Sequence, residues 1–202
     1  VLSRFYLGES FYRLSKFEEA LQQLMLVPED TEPLIRVMTI RDIGLCFYEI
    51  GIFDRALEQF TKMRELALDD GQRAESQTYI ADVKYASGAY SDALDAYRSV
   101  LEDYPGLVHV TKVRYYIGMS LYRLDKNDEA AEVFVNTYTR YKDDEYGAMA
   151  LYQHAELLRR IGKFEEAIEK YEQFLLTSIE GAKLKRWYVR APLNIAVSRL
   201  NM

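Results

Sequence analysis

The sequence predicts an all-α protein made of five consecutive helix pairs and a final single helix. Three observations predict it. The segments beginning at Gly8, Gly44, Ala81, Gly118 and Ala155 align without gaps over fourteen residues, with first residues 36, 37, 37 and 37 apart. Within each segment, apolar residues recur at helical spacing on both sides of a short break. The 202 residues include only 10 Gly and 4 Pro, too few for an all-β chain rich in turns.

Each unit divides at its break into a helix A and a helix B. Repeats are expected at about 1–36, 37–73, 74–110, 111–147 and 148–180, forming one array. The breaks fall at Ser15–Lys16, Gly51, Ser87–Gly88, Asp125–Lys126 and Gly162, residues suited to a helix end and a turn. Helix B carries alanine in register at Ala20, Ala56, Ala93, Ala130 and Ala167. A large apolar residue follows four later, at Leu24, Phe60, Tyr97, Phe134 and Tyr171. An aromatic precedes the alanine by three in every unit except the fourth, which has Asn127. Gly8, Gly44 and Gly118 sit mid-helix, where Gly costs ~1 kcal/mol against Ala. A close helix crossing explains that cost, and the helix B alanines are the expected contact.

A last helix is expected over about 188–201. Pro192 is tolerated in a first turn, so the helix should start near Ala191, with Ala196 continuing the small-residue column. This helix is either a cap or the first half of a sixth repeat, and Leu193 and Leu200 favour the second. The chain begins at Val1 and carries no signal peptide, which reads as a piece of a longer protein.

Composition excludes several classes. Lys and Arg number 26 against 32 Asp and Glu, a net charge of −6, which argues against nucleic-acid binding. One Cys forbids an internal disulfide, and with two His it makes a zinc site untenable. No apolar run is long enough to insert in a membrane. No phosphate-cradling Gly loop, nucleophile elbow or metalloprotease motif occurs. Cys46 reads as a small buried hydrophobe and His154 as a core histidine in the apolar column headed by Leu7. The paired acids at 18–19, 69–70, 143–144 and 165–166 read as helix-start or loop residues. The expectation is a non-enzyme without cofactor or metal.

The pattern resembles the tetratricopeptide repeat. That resemblance is carried by YLGESFY (6–12), YIGMSLY (116–122) and YSDALDAYRSVLEDYP (90–105), and by five repeats in register over about residues 1–178. The usual Trp near the repeat start is absent, the closing Pro is clear only at Pro105, and the period exceeds 34 by two or three residues. The resemblance implies a right-handed α-α superhelix, a solenoid of five helix-turn-helix repeats plus a C-terminal helix. It implies a role as a scaffold for protein–protein interaction within a multiprotein complex. The cadence is also similar to that of bacterial cell-envelope tetratricopeptide proteins.

The resemblance places helix A columns on a concave, partner-binding face. The candidate contacts are Tyr6, Tyr12, Tyr48, Tyr79, Tyr85, Tyr116, Tyr122, Arg123, Tyr152, Arg159 and Arg160. Tyr offers a rigid apolar ring and a hydroxyl, which suits gripping a peptide or helix of another protein. Tyr12, Tyr48, Tyr85 and Tyr122 occupy a column that also serves packing. The column headed by Glu9 continues as Leu45, Asp82, Met119 and Glu156, without the Asn and basic pair of a chaperone-tail clamp. Residues 181–202 carry Lys183, Lys185, Arg186, Arg190 and Arg199 and no acid, a local +5 that leaves −11 on the rest. The leading expectation is a peptide-binding scaffold. The alternatives are a structural arm of a larger assembly, self-associating through the array ends, or a regulatory module fused to an enzyme. The expected setting is soluble, cytoplasmic or periplasmic.

Overall fold

The structure is a computed structural model that describes residues 1–177, 179, 181 and 184–202. Lys183, one of the five basic residues counted near the C-terminus, lies outside the described residues. Among the described residues there are eleven α-helices and no strand. The expected helix pairs form two compact units, Val1–Val108 and His109–Met202.

The first unit holds α1 (Leu2–Arg13), α2 (Phe17–Leu24), α3 (Pro33–Glu49), α4 (Phe53–Leu66), α5 (Asp70–Ala86) and α6 (Tyr90–Asp103). The second holds α7 (Val110–Arg123), α8 (Asn127–Arg140), α9 (Glu145–Arg160), α10 (Phe164–Leu175) and α11 (Lys185–Leu200). Each A helix packs on the B helix that follows it. Every A-to-B turn contains one residue in the left-handed region: Ser15, Gly51, Gly88, Asp125 and Gly162, with φ of 56°, 81°, 87°, 58° and 81°. These are the five breaks read from the sequence.

The helices start where local chemistry favours it. Asp69 accepts a hydrogen bond from the Gln72 amide at 2.7 Å, and Asp144 accepts one from the Tyr146 amide at 2.8 Å. Glu18 and Glu19 lie in the first turn of α2, and Glu165 and Glu166 in that of α10, where negative charge meets the positive helix end. Helix α3 begins at Pro33, in the first helical turn, four residues before the expected repeat boundary.

The five B-helix alanines are fully buried, and so are Leu24, Phe60, Tyr97, Phe134 and Tyr171. The close crossing at the mid-helix glycines is real, and its nearest partner is a side chain beyond the expected alanine. A Cβ at Gly44 would lie 2.7 Å from the Phe60 ring, and one at Gly118 would lie 2.6 Å from the Phe134 ring. The large residue four positions after the alanine comes nearest, and for a Cβ at Gly8, which would lie 2.5 Å from Leu24, the Ala20 carbonyl oxygen is also close at 3.3 Å.

Helix α11 departs from expectation at its start. It begins at Lys185 and runs through Pro192 rather than starting near Ala191. Trp187, Ala191, Ile195 and Ser198 form its buried stripe, while Pro192 faces solvent. Proline removes the helical hydrogen bond that position 192 would donate to the Tyr188 carbonyl, and its ring lies on the exposed side of the helix. Burial of Trp187 and Ala191 holds the turns that proline weakens. Ala191, 36 residues after Ala155, is the small residue in register, and Ala196 is exposed.

Candidate partner-binding face

In the first unit, Tyr6 on α1 is 56% exposed, its ring edge-on to Phe5 at 5.3 Å. Tyr12, Tyr48 and Tyr85 close their A helices and are half-buried. Each ring meets the aromatic five residues later, across the turn: Phe17 at 5.6 Å, Phe53 at 6.1 Å and Tyr90 at 5.4 Å. Such offset and edge-on pairs fix the ring without covering it. Burial pushes the Tyr48 phenol up to about 12, with Asp82 and Glu49 adding to the effect. Tyr79 stacks on Phe60 at 4.7 Å and donates a 2.8 Å hydrogen bond to Glu75. It is therefore anchored at both ends.

Beside it lies a buried ion pair. Arg41 donates to Asp42 Oδ1 at 2.8 Å, while Asp42 Oδ2 is buried without a hydrogen-bond partner. Burial raises the Asp42 pKa despite Arg41. Glu9 and Glu75 add to the rise, so this patch is rich in carboxylate.

In the second unit, Tyr116 is half-buried against Tyr115 (5.1 Å) and Tyr146 (6.4 Å), with Lys112 Nζ 5.9 Å from its ring centroid. Tyr122 has no turn aromatic, because the fourth repeat carries Asn127. Arg160 supplies the missing contact. Its guanidinium lies 3.9 Å from the Tyr122 centroid, bonds the Asn127 side chain and pairs with Asp125 at 3.3 Å. Arg123 is exposed. Arg159 is tied to Glu156 at 3.0 Å.

Tyr152 does not stand open to a partner. It is 4% exposed, stacked on Trp187 of α11 at 4.8 Å, and its hydroxyl accepts from Asn194 at 3.0 Å. Burial and Glu156 push its phenol up to about 12. Phe5 and Tyr115, at the same repeat position, are buried as well, and Tyr115 meets Tyr146 of the next A helix at 5.7 Å, so α11 takes the place of a next A helix beside α9.

One arrangement escaped sequence reading. Tyr97 donates to Asp82 at 2.6 Å, and Tyr171 donates to Glu156, each pair fifteen residues apart. Where helix B offers Phe instead, at Phe60 and Phe134, the same A-helix column holds Leu45 and Met119. A buried phenol needs an acceptor, so each tyrosine of this column has an acid fifteen residues before it, while the first repeat pairs Glu9 with Leu24. Asp82 and Glu156 thus support the core as well as edging the face. The fifteen-residue register was present in the sequence as the only signal.

Cys46 is fully buried, and burial pushes its thiol up to about 12, leaving no nucleophile. His154 is buried against Tyr138 at 5.9 Å, and burial lowers its pKa. Among the described residues, no group of His, Cys, Asp and Glu could hold a metal ion, and no helix is long and apolar enough to cross a membrane.

No curated protein matches the sequence. Solved structures do. A kinesin-light-chain-like protein of TPR-like repeats from Podosopora anserina matches with a TM-score of 0.69 at 16% identity, over 91% of this chain and 96% of that one. MamA of Desulfovibrio magneticus RS-1 matches with a TM-score of 0.68 at 16% identity, over 85% and 91%. Another MamA structure matches with a TM-score of 0.67 at 18% identity, over 93% and 94%. At these identities the likeness shows the fold. The tetratricopeptide-repeat family model matches residues 78–145 and again 115–183, together more than half of the chain. The helix pairs, their register and this match agree: the chain belongs to the tetratricopeptide-repeat family, whose members are protein-interaction scaffolds.

Proposed function

We propose that the chain is a non-catalytic scaffold that grips a peptide or helix of a partner protein on its A-helix face. The supporting observation is the recurrence of Tyr12, Tyr48, Tyr85 and Tyr122 at one register, half-buried and each braced, the first three by an aromatic across the turn and Tyr122 by Arg160 of α9. A braced ring has already lost its rotamer freedom, so a partner that covers it does not meet that entropic cost. In the first unit Tyr6 extends the face and Tyr79 lines it, and in the second unit Tyr116 extends it. Arg123, Arg159 and Arg160 place positive charge on the second unit's face, where acidic groups of a partner set the register. Tyr152 serves the α9–α11 packing instead.

The test is affinity capture from the source organism's lysate, comparing wild type with Tyr6→Ala/Tyr116→Ala/Arg123→Glu. The triple variant removes side chains at exposed or half-buried positions, and circular dichroism verifies its fold. The reading predicts a protein retained by wild type and lost by the variant. Equal capture by both refutes it.

A second reading, the structural arm of a larger assembly, is favoured by one feature of α11. Val189, Leu193, Val197 and Leu200 form an exposed apolar stripe at helical spacing, 77%, 63%, 37% and 87% accessible. Another helix laid on that stripe would extend the stack. Concentration-dependent sedimentation that Leu193→Glu abolishes supports this reading, and a monomer at all concentrations counts against it.

A further inference from the structure

A groove lies away from the A-helix tyrosines, within the first unit. It exists because α2 is short. Helix α2 has 8 residues, whereas α4, α6 and α8 have 14 each. Pro28 lacks an amide hydrogen and disfavours helix at Val27, so the chain leaves the helical path at Met25. The connection over 25–32 replaces the missing turns and does not cover the outer side of α3 and α4. What remains is a cleft of about 530 Å³ bounded by α3, α4 and that connection. This volume is within the roughly 300–1,000 Å³ range of ligand clefts.

The cleft has an apolar lining and a cationic rim. Leu24, Val27, Ile40, Ile43 and Phe47 supply the apolar surface. Arg36, Arg55 and Lys62 supply three cations, of which Arg55 is paired with Glu58 at 3.0 Å and Lys62 with Glu29, the one acid among the lining residues. Arg36 Nε is buried without a hydrogen-bond partner. Lys62 pairs with Glu29 at 3.0 Å, and Glu29 is 78% exposed on its side chain, so a competing carboxylate can reach the same ammonium. Arg36, near the start of α3, and Lys62, near the end of α4, line the cleft together with Glu29, whose carboxyl Lys62 and then Arg36 hold below its ordinary value. Arg55 lies seven residues back along α4 from Lys62, roughly 10 Å at 1.5 Å per residue. The attraction for an anion is therefore strongest at one end of the cleft.

We propose that this cleft binds the C-terminus of an extended peptide, with the terminal carboxylate between Arg36 and Lys62 and apolar side chains on Ile40, Ile43 and Phe47. The charge arrangement argues for an end rather than an interior acid, because the paired cations sit at one end of the cleft. About 10 Å accommodates roughly three extended residues at 3.3 Å each. Alternate side chains of that segment face the apolar lining, so the last and third-last residues should be bulky and apolar. Gln59, also lining the cleft, offers an amide to the peptide backbone.

The test uses the whole 202-residue chain and fluorescein-labelled pentapeptides in polarisation titrations. The peptides carry every pairing of Leu, Ile, Val, Met and Phe at the last and third-last positions, each as free acid and as C-terminal amide. The proposal predicts binding by a subset of the free acids, weakened about tenfold or more by amidation, as expected for losing a charge-assisted contact. Arg36→Gln and Lys62→Gln should each weaken the same peptides to a similar extent. Gln59→Trp, which fills the cleft without removing charge, should abolish binding if the site is correct, and circular dichroism verifies that each variant is folded. Binding by none of the free acids overturns the proposal. So does binding that is indifferent to amidation and to Arg36→Gln, or binding by decanoate with no peptide binding. The Tyr6→Ala/Tyr116→Ala/Arg123→Glu variant should bind these peptides as wild type does, which separates this cleft from the A-helix face.

Discussion

Gly118→Ala is the perturbation that probes the helix packing most cleanly. Gly118 lies inside α7, where alanine would be better by about 1 kcal/mol on helix propensity alone. The added methyl would meet Phe134 at 2.6 Å and 2.8 Å, against an ordinary carbon–carbon separation of about 3.5–4.0 Å. The ring must therefore retreat by roughly 1 Å. Phe134 is 0% exposed and has Tyr115 at 6.4 Å, so retreat displaces packed neighbours. Overpacking of this kind costs about 1–3 kcal/mol, so the net effect is a destabilisation of up to about 2 kcal/mol. The assay is urea denaturation followed by far-UV circular dichroism on wild type, Gly118→Ala, Phe134→Ala and the double variant. Phe134→Ala removes the obstructing ring, whereas leucine at this position, as in Leu24 against a Cβ at Gly8 at 2.5 Å, would still obstruct, so the double variant should be more stable than the sum of the singles by about 1 kcal/mol. Gly147→Ala is the control for severity. Its methyl would fall inside van der Waals contact with the Tyr141 carbonyl oxygen, and backbone yields less than a ring, so it should cost more than Gly118→Ala. Stabilisation by Gly118→Ala, or strict additivity in the cycle, would refute the close-crossing argument.

Further outcomes follow from the turns and the buried titratable groups. Ser15→Gly should stabilise by about 0.5–1 kcal/mol, because Ser15 sits at φ 56°; Gly88→Ala, at φ 87°, should destabilise by about 1–2 kcal/mol, and thermal unfolding of both variants checks the opposite signs. His154 has a folded-state pKa below its ordinary value of 6.5, so the unfolded chain takes the proton first as pH falls. Wild-type stability should then decline as pH drops through 6.5, and His154→Leu should reduce that decline in urea titrations at a series of pH values. Cys46 should resist maleimide in the native protein and label at the rate of unfolding, since it is fully buried with its thiol pushed up to about 12; rapid native labelling would contradict its placement.

The parts of this fold that were legible in the sequence are those that five repeats state five times. The turns at Ser15, Gly51, Gly88, Asp125 and Gly162, the alanine register and the large residue four positions on each obey a local rule of backbone or packing. What could not be read depends on single departures from the pattern. Pro28 shortens α2 and leaves a cleft, but the alignment marks only repeats, not the space left where a helix stops. Pro192 suggested a helix start, yet the burial of Trp187 and Ala191 carries the helix through it, because tertiary packing outweighs a proline on a solvent-facing side. Tyr152 stands at the repeat position of Phe5 and Tyr115, both buried, one residue before the column of Tyr6, Tyr79 and Tyr116, so its burial follows from its column and not from α11 alone. The Tyr97–Asp82 and Tyr171–Glu156 bonds show the same limit, since a fifteen-residue pairing between facing helices leaves no periodic trace within either helix.

The central claim is that a partner lies on the A-helix tyrosines. A photo-reactive phenylalanine analogue placed at Tyr6, at Tyr116 and, as an exposed position elsewhere, at Val189 tests it most directly in lysate of the source organism. The account predicts that Tyr6 or Tyr116 crosslinks the protein captured by wild type and that Val189 does not. Crosslinking from Val189 alone, or equally from all three positions, would contradict it.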